Sequence, residues 1–417
     1  MGTRNEPCPP PRWKIDLSLP PKDRYREIAR AYRDRVSGLV GLYDALLRDL
    51  GLPDRRINII NRLSKLLLRR VYDSVQTQEL RGISEECGVD MYLLVAFNVL
   101  LDLLMGCTSG GVRCRESAQP PSKSSVLHFR TLDWTMDPLR QVVVQLDFVR
   151  SRSQTPHTIL ASSITYVGFV GVLTGVRQNL SMSLNFRAVH DASTKMAEFR
   201  FYLHHVLVLF GIRPSIATMM REFLLGDGKQ VVHAPRLSNT TFDAPSLAAI
   251  YDSISRNHTT SAYLIFCDGT RTMSIDKDFR KAVLRQSSSF IATTNHDVTG
   301  HSEEQGKKGV ALQTTTRAAR SAAGLDEFLD ESVDRLHCIS KRWYRKVARA
   351  RAHAKTGDPQ DEVGVTLTQD ELIGWIRKYP TTNECTHYAS VLRPADGTVV
   401  WSMVYRSPIT ESRTSSS

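Results

Sequence analysis

The chain has 417 residues, 55 Lys+Arg against 43 Asp+Glu, a net charge of +12 and 41% hydrophobic residues. This excludes a single small domain and a disordered or low-complexity protein; one large α/β body, or two domains with ample core, is expected. The longest nearly apolar run, 91–105, is too short for a bilayer and contains Asn98 and Asp102, so no transmembrane helix is expected.

In chain order, the first thirty residues lack the continuous apolar segment of a secretory signal, and the sequence as written is expected in the cytosol. Residues 22–50 place Ile28, Tyr32, Val36, Leu39, Leu42 and Leu46 at the three-and-four spacing of an amphipathic helix, and 57–75 repeat the pattern. A third helix is predicted from Ser84, as N-cap, to Gly106 as terminator. After Cys107 the small, polar, Gly/Pro-rich CTSGGVRCRESAQPPSKSS predicts turns and an exposed loop. Strands are expected at 125–130, 140–148, 158–167 and 180–186, then a helix near 197–223, then strands at 261–267, 273–275 and 289–293. Residues 299–323 read as a mobile insertion, 326–354 as a basic helix, and 388–392 with 398–405 as a hairpin around Asp396-Gly397. The sum is an α+β chain with a helical first quarter and a strand-rich remainder.

The net positive charge suits nucleic acid or an anionic membrane surface. The densest basic run, 341–346 continuing through Arg349 and Arg351, reads as a solvated helix face. No zinc-finger spacing or helix-turn-helix signature is present, so nucleic acid is not an expected partner. The cysteines at 8, 87, 107, 114, 267, 338 and 385 form no CxxC pair and no Cys/His ligand cluster, so no metal or cofactor is expected.

The helix-to-strand border falls on a Gly-Cys bond. A cysteine thiol can attack the preceding carbonyl when that peptide is strained and its oxygen polarised, giving a thioester that water hydrolyses. Gly106, lacking Cβ, tolerates unusual backbone angles. The freed α-amine of Cys107, with a pKa of roughly 7.7–8.0, can then serve as base for its own thiol. The plainer alternative is a helix cap followed by a buried thiol.

Several segments in order carry a resemblance: the opening Trp13-Lys-Ile-Asp-Leu-Ser-Leu-Pro-Pro-Lys-Asp-Arg24, then Phe97-Asn98, Cys107-Thr-Ser109, His128-Phe-Arg130-Thr-Leu-Asp133-Trp134, Leu146-Asp147-Phe148, Tyr166-Val-Gly168 and Leu173-Thr174-Gly175. Further on come Thr294-Asn295-His296-Asp297 and Asp334-Arg335 followed by Cys338. Together they resemble the acid ceramidase and N-acylethanolamine acid amidase family of cysteine N-terminal-nucleophile hydrolases, related to conjugated bile acid hydrolases and penicillin V acylases. The resemblance implies an αββα sandwich and self-cleavage into an α-subunit, 1–106, and a β-subunit, 107–417. It also implies hydrolysis of a lipid amide, ceramide or an N-acylethanolamine, to fatty acid and amine.

By the same resemblance, Cys107 attacks the amide carbonyl, Asp133 holds the α-ammonium or thiol, and Arg130 favours thiolate. Asn295 and Asn185 donate to the oxyanion, and Arg335 completes the polar cluster. One departure stands out: Phe186 occupies the position of the family's glutamate. Cys8 and Cys338 match the family's inter-subunit disulfide. That bond and the sequons at Asn179, Asn239 and Asn257 fit a lysosomal, vacuolar or secreted history, which requires a longer N-terminus. The helix from Met91 is an expected wall of the acyl slot, and an anionic membrane an expected docking surface. Two alternatives stay open: an acyltransferase passing the thioester to an amine, and an unprocessed, inactive relative that binds lipid or membrane.

Overall fold

The structure, a computed structural model, describes residues 6–49, 53–100, 106–115, 124–188, 190, 193–226, 244–298, 325–353 and 364–409. The first part runs β1 (Arg12–Asp16), α1 (Arg26–Ala31), α2 (Arg33–Ser37), α3 (Leu42–Asp49), α4 (Asp54–Leu67), α5 (Ser74–Cys87) and α6 (Met91–Leu100). There follow β2 (Gly106–Arg115), β3 (Ser124–Asp133), β4 (Val143–Val149), β5 (Ala161–Tyr166), β6 (Thr174–Arg177), β7 (Leu180–Phe186), α7 (Lys195–Leu209), α8 (Ile216–Leu225) and α9 (Leu247–Arg256). The last part holds β8 (Thr259–Cys267), β9 (Thr272–Phe279), β10 (Lys281–Ser287), β11 (Phe290–Thr293), α10 (Leu325–His353), α11 (Gln369–Ile376), β12 (Thr386–Arg393) and β13 (Thr398–Val404).

The strands form an eight-stranded sheet, β1-β4-β5-β6-β7-β8-β9-β10, and a five-stranded sheet, β11-β2-β3-β12-β13. All pairings are antiparallel except β1 with β4, which is parallel. Side chains alternate across each strand. On β2 and β3, Val112, Cys114, Leu127 and Phe129 therefore face Ile339, Trp343 and Val347 of α10, while Cys107 and Leu132 join the core shared with the eight-stranded sheet. The far face of that sheet is covered by helices, with Phe223 of α8 packed edge-on to Phe266 of β8 at 6.0 Å. The layers are helix, sheet, sheet, helix, as the resemblance implied.

The local differences from the sequence reading have physical causes. The first part of the stretch predicted as turns and loop is instead the ten-residue strand β2, buried nearly throughout, and residues 116–123 of it lie outside the described residues. Its glycines serve close approach: a Cβ on Gly110 would lie 2.0 Å from the Ile291 carbonyl oxygen, and one on Gly111 1.8 Å from Thr272 Oγ1. Gly106 is the first residue of this strand, and it is absent from the residues with left-handed backbone. The predicted helix from Ser84 does not form as one piece. α5 ends at Cys87, capped by Gly88 in the left-handed region at φ 67°, and α6 starts anew at Met91. Residues 101–105, 299–324 and 227–243, with Asn239, lie outside the described residues. The helical first quarter also contributes β1, because Trp13–Asp16 pair with Leu146–Val149. The single helix expected near 197–223 is α7 and α8, separated where Gly211 takes φ 65°. On α10, Lys341, Arg345 and Arg349 are exposed while Trp343 and Val347 are buried, which is the solvated basic face expected. Cys8 and Cys338 are both free thiols, Cys8 forming a β-bridge with Val404.

A buried ion pair ties the first part to the second. Arg221 of α8 grips Glu79 of α5 at 2.6 and 2.7 Å, and Arg24 reaches the same carboxylate at 3.0 Å. Nearby, burial and then Asp73 raise the Glu222 carboxyl from 4.5 to about 7. A carboxyl pKa raised by folding means the folded state holds its proton longer. Ionisation therefore penalises the fold increasingly as pH rises from 4.5 through 7. Glu222→Gln is expected to raise the melting midpoint at pH 8 and to change it little at pH 4, as read by calorimetry at both pH values.

Candidate active site

The six residues singled out from the sequence come together around the start of β2, and each is at most 2% exposed: Cys107, Arg130, Asp133, Asn185, Asn295 and Arg335. The antiparallel register of β2 and β3 sets Gly106 opposite Asp133, Cys107 opposite Leu132 and Ser109 opposite Arg130. Asn185 comes from β7, Asn295 follows β11, and Arg335 is on α10.

The backbone nitrogen of Cys107 donates to Asn295 Oδ1 at 2.7 Å, and Arg335 Nη2 donates to the same oxygen at 2.9 Å. Both partners are donors only, so the oxygen of the Asn295 amide must face them. Asn295 Nδ2 donates to the Phe186 carbonyl at 2.8 Å. Arg335 Nε lies 3.8 Å from Asp133 Oδ2, and Thr386 Oγ1 donates to Asp133 Oδ1 at 2.7 Å. Arg130 Nη1 donates to Asn185 Oδ1 and, at 3.0 Å, to Ser109 Oγ. Asn185 Nδ2 donates to the carbonyls of Thr293 and Thr294 at 3.0 and 3.2 Å. In this state the Asn185 amide is occupied on both sides, holding Arg130 in place.

Burial raises the Cys107 thiol; Arg130 opposes that, Asp133 adds to it, and Arg335 and a Phe186 backbone hydrogen bond oppose it. Burial also raises the Asp133 carboxyl, against the pull of Arg335 and Thr386. Two guanidiniums thus surround one carboxylate and one thiol, and deprotonating the thiol would balance the charge. The buried Nε and Nη2 of Arg130 and Nε of Arg335 have no hydrogen-bond partner, so donors remain for an incoming oxyanion.

Sequence reasoning missed Ser332, whose hydroxyl accepts from the Asn295 backbone nitrogen at 2.7 Å, and Thr386 beneath Asp133. Neither lies in a recognisable motif. Two quoted motifs meet in space: Asn98 Nδ2 donates to the Gly168 carbonyl, and Asn98 Oδ1 accepts from Val170, both at 2.8 Å. Phe186 packs on Phe328 at 6.0 Å, and the Phe328 ring reaches within 3.6 Å of where a Gly106 Cβ would sit. Two apolar rings therefore stand by the Gly106–Cys107 junction.

Beside Asp133, Trp134 opens onto an apolar pocket lined by Leu39, Leu42, Leu93, Phe97 and Met136. Four residues of α6, Leu93, Leu94, Ala96 and Phe97, line it. Among the described residues no cluster of His, Cys, Asp and Glu could hold a metal ion.

Comparison with known proteins agrees with this picture. The family model described as the beta subunit of N-acylethanolamine-hydrolyzing acid amidase matches residues 8–72. The segment similar to that beta subunit thus lies before Gly106, in the part expected from the sequence as the α-subunit. The Caenorhabditis elegans N-acylethanolamine-hydrolyzing acid amidase is 29% identical over 189 residues, 43% of this chain and 48% of that protein. Acid ceramidase of Mus musculus is 26% identical over 194 residues, 43% of this chain and 46% of that protein. The matched region spans about half the length of these curated relatives. A solved structure of the C. elegans amidase orthologue aligns over 69% of this chain and 93% of its own, with a TM-score of 0.42 and 19% identity. The architecture is two antiparallel-dominated sheets between helical layers. Over the matched segments the chain is similar to acid ceramidases and N-acylethanolamine-hydrolyzing acid amidases.

Proposed function

We propose that the protein hydrolyses the amide bond of a lipid N-acyl amide, a ceramide or an N-acylethanolamine, after splitting itself between Gly106 and Cys107. The observation that carries this reading is the Cys107 backbone nitrogen held by Asn295 Oδ1 within a cluster of two arginines and one carboxylate. In the precursor, the Cys107 thiol attacks the Gly106 carbonyl, the C–N bond breaks and its nitrogen takes a proton. Water then hydrolyses the thioester, leaving fragments 1–106 and 107–417.

The Cys107 α-amine, held by Asn295 and Asp133, takes the thiol proton as the sulfur attacks the substrate carbonyl. Unpaired donor groups on Arg130 stabilise the oxyanion, the ammonium proton goes to the departing amine, and water releases the fatty acid. The cavity behind Trp134 accommodates the acyl chain. Intact-mass analysis tests the first step: fragments beginning at Met1 and Cys107 support it. Incubation with ceramide and N-acylethanolamine tests the second, with fatty acid release as the readout. A second reading, an unprocessed lipid-binding relative, is favoured by the Phe186–Phe328 pair at the junction. It predicts one uncut chain that binds these lipids and releases nothing.

The anionic-membrane partner is supported by two helices packed on α6. α4 leaves Ile59, Leu63, Leu66 and Leu67 exposed beside Arg55, Arg56, Arg62 and Lys65, and α7 leaves Met196, Phe199, Leu203 and Val206 exposed, the apolar residues being 42 to 60% exposed. Apolar side chains amid basic ones insert into anionic interfaces. The double variant Leu63→Glu, Phe199→Glu is expected to lower partition into anionic vesicles about tenfold or more, since burying each side chain is worth roughly 1.5–3 kcal/mol. Co-sedimentation measures this, and unchanged partition removes the docking face.

A further inference from the structure

A second set of buried polar groups lies on the opposite face of the eight-stranded sheet, away from Cys107. On β9, Ser274 bonds to Thr293 of the other sheet at 2.9 Å, so even-numbered residues face between the sheets. Met273 and Ile275 pack into the core shared with α8 and α9, and Lys277 continues their face toward the helices. Lys277 is fully buried and its Nζ has no hydrogen-bond partner. Its sequence neighbour Asp278 points the other way, to Ser261 at 3.1 Å and Arg187 at 3.7 Å.

The second orphan is His204 of α7, 1% exposed. Its Nδ1 sits 2.9 Å from Arg213 Nη1. A guanidinium can only donate, so Nδ1 accepts and the ring proton is on Nε2. That Nε2–H is buried without an acceptor. Phe279, in the left-handed region at φ 47°, joins the two histidines of this corner: its ring stacks on His258 at 4.5 Å and meets His204 edge-on at 5.7 Å. His258 Nε2 in turn accepts from Arg280 Nε. Burial lowers Lys277 to about 8, with Asp278 opposing. Burial, then Arg213, with a smaller push from Lys277, holds His204 near 3. Lys277 acts on His204 electrostatically, and the two unpartnered groups on this face of the sheet, Lys277 Nζ and His204 Nε2–H, are both donors.

Buried donors without acceptors are rare because each lacks the compensation that water gave it. What would satisfy Lys277 Nζ and His204 Nε2–H together is an acceptor bearing negative charge. We propose that Lys277, His204 and Arg213 form a site beneath α7 for a compact monoanion such as chloride or formate.

The test is thermal unfolding of the full chain at constant ionic strength, replacing gluconate by chloride, bromide or formate. A saturable rise of about 2 °C or more is expected for the small anions over gluconate. Lys277→Met, which keeps the chain length without the amine, is expected to abolish the response. Equal behaviour in all salts, or an unchanged response in Lys277→Met, overturns the site. If that variant does not fold, crystals of the unsubstituted protein grown in bromide decide. An anomalous peak within hydrogen-bond reach of both nitrogens supports the site, and a peak-free corner overturns it. None of these readouts depends on amide hydrolysis.

Discussion

Replacing Cys107 by alanine is expected to leave one 46.9 kDa chain and to reduce amide hydrolysis about 10⁴-fold or more. The size follows from the double duty the proposed mechanism gives one residue. There its sulfur forms both thioesters, and its nitrogen becomes a base only once the peptide is cut. Cys107→Ser sharpens the test, because a hydroxyl can still attack Gly106, but more slowly. It is expected to yield partial cleavage with little turnover. A denaturing gel and a fatty-acid release assay read both variants. Scission before residue 107 in the alanine variant would remove this cysteine from the self-cleavage step.

Glu79→Ala is expected to destabilise the fold by about 3–5 kcal/mol, the range for leaving a buried charge without its partner. Arg221 would lose both its bonds to that carboxylate, and Arg24 one. Urea denaturation measures the change, and a loss below about 1 kcal/mol would mean the guanidiniums find other acceptors. The same pair bears on how the two fragments of the proposed cleavage would stay together. Thr218 bonds to Gln76 at 3.1 Å, Arg12 to Asp147 at 2.9 Å, and β1 lies within the sheet of β4. With Cys8 and Cys338 both free, cohesion rests on these contacts. A cut protein is therefore expected to elute as one species with or without reductant.

The sequence reading succeeded where a period or a cap acted alone. The long basic helix of α10, the hairpin of β12 and β13, and the strand ending at Phe186 were legible from alternation and turn residues. It failed where tertiary contact overrode local preference. The run from Gly106 to Arg115 has loop composition, yet its glycines are what let Ile291 and Thr272 approach. Trp13–Asp16 has too few residues to signal a strand, and only β4 makes it one. The candidate site was legible chiefly through resemblance. Arg335 stands forty positions beyond Asn295, and no local pattern announces that α10 returns it to the Asn295 amide. For Asn185 the resemblance implied a donor to the oxyanion, and in the structure its amide hydrogens go to Thr293 and Thr294.

The parallel seat of β1 against β4 bears on survival after scission. β4 reads VVQLDFV and is buried along its whole length. Were the leading fragment to depart, this ribbon would present open amides and carbonyls beside apolar side chains, a template for stacking with other molecules. If the proposed scission occurs, the leading fragment would be a sheath as well as a partner, its retention guarding the cut molecule against self-association.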